Sequence, residues 1–407
     1  MKINPCIIGL GYVGLPLALE IAKKYETVGF DINKKRIKTL KKKIDLNNNL
    51  KKENFLNKKI IFTNQLDKIR NCNFFIISVP TPVYKNKTPN LEPLELSVRN
   101  LSKIIKRNDI IVIESTVYPG VTEKLTRYIE NKTKLIENKD FFIVYSPERI
   151  NSGDKKNTLR KIDKILAFKI KNKEAKIKIL KIYSCISKSL IYTSGIKEAE
   201  TAKVIENIQR DLNIALMNEI LMICEKLKIN YSEVLRLAKT KWNFINFIPG
   251  LVGGHCLPVD PYYLSNIARK NRINLNVTLA GRKTNDQMEV FVINFLKKLL
   301  NIKKKRLKNT NILIVGLTYK YGVSDMRNSL NFNIFQKVKE LYKKTDGYDP
   351  FVNENIKKKF KILSNIKNIK SYDAILFLSK GKKFHNLFRK LKKINKQFLL
   401  DPFRYYT

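Results

Sequence analysis

The sequence predicts an α/β fold: two doubly wound, Rossmann-like domains joined by a helical central domain with a long spine helix. Three observations carry this. Short apolar runs alternate with longer amphipathic ones at both ends of the chain, as helices wrapped around a parallel sheet require. A strand-and-glycine pattern opens each end, at Cys6 to Gly9 and again at Asn311 to Gly316. Between them, Glu198 to Lys226 carries apolar residues at helical spacing with no glycine or proline, which is long for a globular helix.

Taken in order, Cys6-Ile7-Ile8 reads as the first strand, Leu15 to Lys24 as a helix and Thr27 to Phe30 as the second strand. Phe74 to Val79, Ile110 to Ile113 and Phe141 to Tyr145 read as further strands. Residues 160–190 carry no legible motif. The pattern then changes to helix, broken by a Gly/Pro-rich stretch at Pro249 to Pro261 and ended by a basic linker, Asn301 to Asn309. Asp346 to Pro350 and Tyr372 to Leu378 supply strand ends in a smaller α/β domain. The expected domains are residues 1–195, 196–300 and 301–407.

A chain of 407 residues that is 43% hydrophobic suits two or three domains. Its formal net charge of +46 points first to nucleic acid. The lysines, however, are spread from end to end and alternate with apolar residues, as along Lys173 to Lys181, which reads as the solvated face of a helix. Basic runs are short, such as Lys303-Lys304-Lys305-Arg306, and no recognition module is visible, so compositional drift is the reading and no nucleic-acid partner is expected. A positive surface still helps to attract a pyrophosphate. No apolar run approaches the length of a membrane span, and the N-terminal one is interrupted by glycines with no cleavage site after it. A cytoplasmic protein is expected, with no membrane partner. Five scattered cysteines without a CxxC pair argue against a disulfide framework or a zinc site.

Gly9-x-Gly11-x-x-Gly14 follows a strand and opens a helix. The first glycine makes a tight turn, the second admits a pyrophosphate and the third lets helix and strand pack. The helix N-terminus offers free N–H groups to phosphate. Asp31, at the end of the second strand, suits a ribose hydroxyl and repels a 2′-phosphate, which favours NAD over NADP. Ser78 to Val83, SVPTPV, forms a stiff loop at a strand's carboxyl end, where ligands sit in such sheets.

The most unusual segment is Gly253-Gly254-His255-Cys256-Leu257-Pro258-Val259-Asp260-Pro261. Its glycines permit close backbone approach and its prolines stiffen the chain beyond the cysteine. Lys203 and Asn207, one helical turn apart, share a face that Ala199 and Asp211 extend. Such a pair suits an oxyanion, and the ammonium would lower a thiol pKa. Residue chemistry alone leaves two readings of Cys256, a nucleophile and a buried small hydrophobe.

Six segments in order resemble the UDP-glucose/GDP-mannose dehydrogenase family over nearly the whole chain: GLGYVGLPLA (Gly9 to Ala18), ESTVYPG (Glu114 to Gly120), YSPERI (Tyr145 to Ile150), the helix Glu198 to Glu219, GLVGGHCLPVDPYYL (Gly250 to Leu264) and VGLTYKYGVSDMRNS (Val315 to Ser329). SPERIN, ENxQRDxNIAxMNE, KWNF and PGLVGGHC resemble the branch acting on UDP-N-acetylhexosamines, the Vi-polysaccharide type of UDP-N-acetylglucosamine 6-dehydrogenase above all, with UDP-N-acetylgalactosamine enzymes near it.

The resemblance implies NAD held by Gly9, Gly11, Tyr12, Val13, Gly14, Asp31, Arg36, Pro80, Thr81, Ser115 and Thr116. It implies Cys256 as nucleophile, Lys203 and Asn207 on the oxyanion, Thr116 and Asp260 on water or protons, and Glu148 as hydrolytic base. Glu148, Arg149, Lys203, Asn207, Gly253, Lys320 and Arg327 would bind a UDP-sugar, with Asp325 and Arg327 bracing their motif. The implied reaction is four-electron oxidation of C6 of UDP-GlcNAc or UDP-GalNAc to the uronic acid for surface polysaccharide, needing no metal. UDP-glucose and UDP-N-acetylmannosamine are the alternative substrates, and a homodimer or higher homo-oligomer through the central helices is implied. Two positions depart from the family pattern: Ser152, where a second acid or a proline is usual, and Tyr118, where proline is usual.

Overall fold

A computed structural model describes residues 2–46, 50–56, 58–150, 159–302, 310–342, 344–366, 368–393 and 398–406. Ser152 and most of the basic linker, Lys303 to Arg306 included, lie outside the described residues. The chain divides into two compact units, Met1–Glu206 with Tyr262–Asn274, and Asn207–Pro261 with Leu275–Thr407.

The first unit is built on strands β1 (Pro5–Ile8), β2 (Thr27–Phe30), β3 (Ile60–Thr63), β4 (Phe74–Ile77), β5 (Asp109–Ile113), β6 (Phe141–Tyr145), β7 (Lys164–Ala167) and β8 (Leu190–Thr193). Helices α1 (Gly14–Ile21), α2 (Lys34–Lys41), α3 (Glu92–Leu101), α4 (Val121–Thr133) and α5 (Lys173–Ile186) connect them. The sheet order is β3-β2-β1-β4-β5-β6-β7-β8, the doubly wound order with its reversal between β1 and β4. Strands β1, β4, β5 and β6 are buried along their whole length, as central parallel strands must be when both faces are covered. Ile7, Phe74, Ile76, Ile110, Val112 and Val144 pack with Leu15 and Leu19 of α1 and Ile179 and Tyr183 of α5 in one apolar cluster.

Two local readings are corrected. The sheet is not parallel throughout: β7 runs against β6, meeting it at Tyr145 and Ala167, and β8 follows β7. The lysines of α5 do not all lie on a solvated face, because Lys178 is buried, with Glu174 one turn away at 3.0 Å.

Helix α6 (Ile196–Leu227) confirms the long helix, and α7 (Tyr231–Ala238), α8 (Asp260–Lys270) and α9 (Asn276–Ile302) follow it. The second unit adds β9 (Asn311–Val315), α10 (Leu330–Leu341), β10 (Lys344–Tyr348), α11 (Glu354–Phe360), β11 (Ala374–Phe377), α12 (Lys382–Lys392) and β12 (Phe398–Leu400). Its four strands are parallel in the order β10-β9-β11-β12. One face packs Ile312, Ile314 and Leu376 against Met288, Val292 and Leu296 of α9, and the other packs Leu313, Ile375 and Phe377 against Phe384 and Phe388 of α12. Among the described residues no helix is long and apolar enough to cross a membrane.

Candidate active site

In the first unit, the glycine turn is laid against the end of β4. Gly9 has φ +90°, and a Cβ there would lie 2.9 Å from Ser78 O. A Cβ on Gly14 would overlap Gly9 O and Ser78 Oγ, so only glycine lets α1 start at the strand end. At Gly11 a Cβ would meet nothing within 4 Å among the described residues, so this glycine answers to no protein neighbour. Asp31 Oδ2 accepts from Leu10 N and Oδ1 from Asn33 N, both at 2.9 Å. Buried Arg36 donates from Nε to Leu10 O (2.9 Å) and from Nη1 to Asp45 (2.7 Å). Its Nη2 is buried with no partner among the described residues. Open space at Gly11, an α1 N-terminus with no side-chain cap at Val13, and an orphaned guanidinium N–H fit an anionic dinucleotide. Tyr12 and Val13 stand half-buried at this turn.

The loops after β4 and β5 are laced together. Thr81 Oγ1 donates to Thr116 O (2.7 Å) and Ser115 Oγ to Val79 O (2.8 Å), while Pro80 is exposed beside them. Tyr263 OH of α8 donates to Thr81 O (2.6 Å). The unusual Tyr118 rests against Tyr263, ring centroids 6.2 Å apart, under Lys270 Nζ. Glu200 of α6 accepts from Gly120 N (2.6 Å) and Thr122 N (2.9 Å) at the start of α4, which ties the Thr116 loop to the helix carrying buried Lys203. Burial raises the Glu200 carboxyl against the hydrogen bonds it accepts.

Glu148 follows β6 and is buried. Its Oε1 accepts from Arg149 N and Ile150 N, both at 2.7 Å, and its Oε2 from Lys164 at 3.1 Å. Arg149 also pairs with Glu206 of α6 at 2.8 Å.

In the second unit, Cys256 is exposed while the other four cysteines are buried, so of its two readings the buried hydrophobe falls. The carbonyl of Cys256 accepts from Val259 N and Asp260 N, both at 2.9 Å, in a turn that begins α8. Asp260 is buried and accepts from Asn207 Nδ2 at 2.6 Å, so two predicted site residues meet directly. The cysteine segment also lies on the VGLTYKYGVSDMRNS motif. Gly254 N donates to Asn328 O (3.0 Å), and a Cβ on Gly253 would come within 2.5 Å of the same oxygen. His255 Nε2 meets Asp325 Oδ2 at 3.0 Å, and Arg327 grips the same carboxylate from Nε (3.0 Å) and Nη2 (2.8 Å). Burial alone would raise Asp325, but the His255 and Arg327 hydrogen bonds hold it well below the usual carboxylate range. Lys320 stands half-buried in this loop, its carbonyl accepting from Thr318 Oγ1 at 3.0 Å.

Residue patterns missed the brace behind the cysteine segment. Asn218 of α6 holds Gly250 at both backbone groups, N at 2.8 Å and O at 3.0 Å, and donates to Asn285 of α9 (2.8 Å). Asn285 and Arg282 in turn hold Asp211 of α6, at 2.7 and 2.5 Å. Burial still pushes Asp211 up to about 6. An Asn218-Asn285 pair across two helices leaves no local signal, although Asp211 on the predicted catalytic face was a partial one.

Comparison with known proteins accords with this arrangement. Three models of the UDP-glucose/GDP-mannose dehydrogenase family match the chain: the NAD binding domain at residues 1–187, the central domain at 197–287 and the UDP binding domain at 313–407. A UDP-N-acetyl-D-glucosamine 6-dehydrogenase of Salmonella typhi is 43% identical over 386 residues, covering 92% of this chain and 89% of its own. Protein CapL of Staphylococcus aureus is 41% identical, covering 93% and 89%. A solved UDP-D-ManNAc dehydrogenase from Pyrococcus horikoshii superposes with TM-score 0.86 at 27% identity, over 100% of both chains. The chain belongs to the UDP-glucose/GDP-mannose dehydrogenase family and is an NAD-dependent nucleotide-sugar 6-dehydrogenase.

Proposed function

We propose that this enzyme oxidises the C6 alcohol of UDP-N-acetylglucosamine to the carboxylate through a thioester on Cys256, in the making of a surface polysaccharide. The observation that carries the reading is Cys256, the exposed thiol of a glycine turn whose helix begins at Asp260, itself bonded to Asn207. The N-acetylgluco sugar is favoured by the S. typhi relative, with the manno epimer, named for the P. horikoshii structure, as the second reading.

Gly9, Gly11, Gly14 and Asp31, with Arg36 behind the turn, would hold NAD, which would supply the hydride acceptor for each of the two oxidations. Pro80, Thr81, Ser115 and Thr116 line the strand ends where such a cofactor lies. Once C6 is an aldehyde, the Cys256 thiolate adds to it, and the new oxyanion takes hydrogen bonds from Lys203 and Asn207. Loss of the second hydride leaves a thioester. Water gives a proton to Glu148 and adds to the thioester carbonyl, and the thiolate departs to restore Cys256. Asp260 fixes the Asn207 amide, and Lys320, Arg327, Arg149 and Gly253 hold the UDP-sugar. Exposed Leu216, Ile223 and Leu227 on α6 support a homodimer formed by burying that helix against a second copy.

Cys256→Ser is the direct test. The expected outcome is loss of the carboxylate product with NAD affinity kept, against two NADH per product in the unaltered enzyme. Normal acid yield from the variant defeats the covalent route. An NADH assay across UDP-N-acetylglucosamine, its galacto and manno epimers and UDP-glucose decides the sugar.

A further inference from the structure

An ion pair removed from water must recover its lost hydration from well-placed partners. Lys164 is 3% exposed, and its Nζ donates to Glu114 Oε2 (2.9 Å), Glu148 Oε2 (3.1 Å) and Pro147 O (3.3 Å). Glu114 Oε1 accepts from Tyr183 OH at 2.7 Å, and both of those side chains are fully buried. Topology assembles this cluster. Parallel β5 and β6 deliver Glu114 and Glu148 to the same end of the sheet. Because β7 runs the other way, with Ala167 opposite Tyr145, its first residue, Lys164, starts at that end too. Burial pulls the ammonium's pKa down and the two carboxylates pull it up, and the net direction is up, so the cation persists.

We infer that Lys164 is a positioning residue for Glu148, its ammonium orienting that carboxylate and balancing its charge while Glu114 and Tyr183 hold Lys164 in place. The inference rests on the reading of Glu148 as hydrolytic base. With Oε1 fixed by two backbone N–H groups, the Oε2–Lys164 bond is the remaining restraint on the carboxylate's plane among the described residues. Among the described residues, the charged and titratable groups facing Glu148 are Lys164 from β7, Glu114 from the end of β5 and Tyr183 from α5, while the Arg149 guanidinium on its own loop pairs with Glu206.

The test is the pH profile of kcat for the full-length enzyme with UDP-N-acetylglucosamine and NAD. Lys164→Met alone strands a buried carboxylate, so K164M/E114Q removes the pair as a unit. Without the cation the Glu148 carboxylate loses its counter-charge and one hydrogen-bond partner. The acid limb is expected to move up by about one pH unit, with kcat down at least about tenfold and KM within about twofold. E114Q alone removes a nearby negative charge and keeps the ammonium, so its acid limb is expected to move down. K164R, whose guanidinium bridges two carboxylates, restores the profile. A structural role alone would lower thermal stability without moving the limb in opposite directions. Wild-type acid limbs in both E114Q and K164M/E114Q, with E148Q inactive, overturn the inference. Wild-type kcat and pH profile in E148Q overturn the assignment of the base, and this inference with it.

Discussion

The turn after β1 and the turn after β9 share a plan. Gly9 has φ +90° and donates its N–H to Phe30 O at 2.9 Å; Gly316 has φ +88° and donates to Tyr348 O at 2.9 Å. Each turn is stitched to an acid just past the neighbouring strand, Asp31 in one and Asp349 in the other. The turns then diverge. The first passes straight into α1 at Gly14, while the second makes a long excursion that reaches α10 only at Leu330 and holds Tyr319, Lys320, Asp325 and Arg327. Asp349 is fully buried and accepts from Leu317 N, Thr318 N, Thr318 Oγ1 and Phe351 N, which uses the ~4 acceptor sites of a carboxylate. Asp31 accepts two backbone bonds and stays half-exposed, with acceptor capacity left for a ribose. An acid at one topological position is therefore a fastener where the loop is long and a candidate ligand group where the turn is short.

Four substitutions would break or sharpen that contrast, ordered by their effect on stability. Gly14→Ala drives a Cβ into Gly9 O and Ser78 Oγ and should cost about 3 kcal/mol or more, read as loss of soluble protein or a collapse in Tm. Asp349→Asn puts amide hydrogens against backbone N–H donors and should cost about 2 kcal/mol in a denaturant titration, with NAD affinity unchanged. Asp31→Asn should cost about 1 kcal/mol of stability but about tenfold in NAD affinity, with discrimination against NADP relaxed. A full loss of stability at Asp31 and none at Asp349 would invert the assignment. Gly11→Ala should leave stability within about 0.5 kcal/mol and weaken NAD by calorimetry, since its Cβ meets no described protein atom.

Legibility in the sequence tracks the same divide between local and distant. The Gly9–Gly14 turn and Asp31 were readable because a strand, a turn and a helix start are short-range events. The α6 reading held from Glu198 to Lys226 because helical periodicity repeats every few residues. Lys164 was invisible because Lys and Arg together number 81, and nothing local separates one buried lysine from its solvated neighbours. The stretch 160–190 looked blank because β7 derives its meaning from running against β6, a tertiary fact. Asn218, Arg282 and Asn285 went unread for the same reason. Arg36 was placed at the cofactor by resemblance, and the structure adds its bonds to Leu10 and Asp45.

The distribution of sulfur in this chain has a practical corollary. Cys6, Cys72, Cys185 and Cys224 are enclosed by the folded chain, so an alkylating reagent added to the intact enzyme meets a single accessible thiol at position 256. One equivalent of iodoacetamide or maleimide then labels position 256, and its rate, followed with and without sugar nucleotide, becomes a gauge of how fully that sulfur is shielded when ligand is bound.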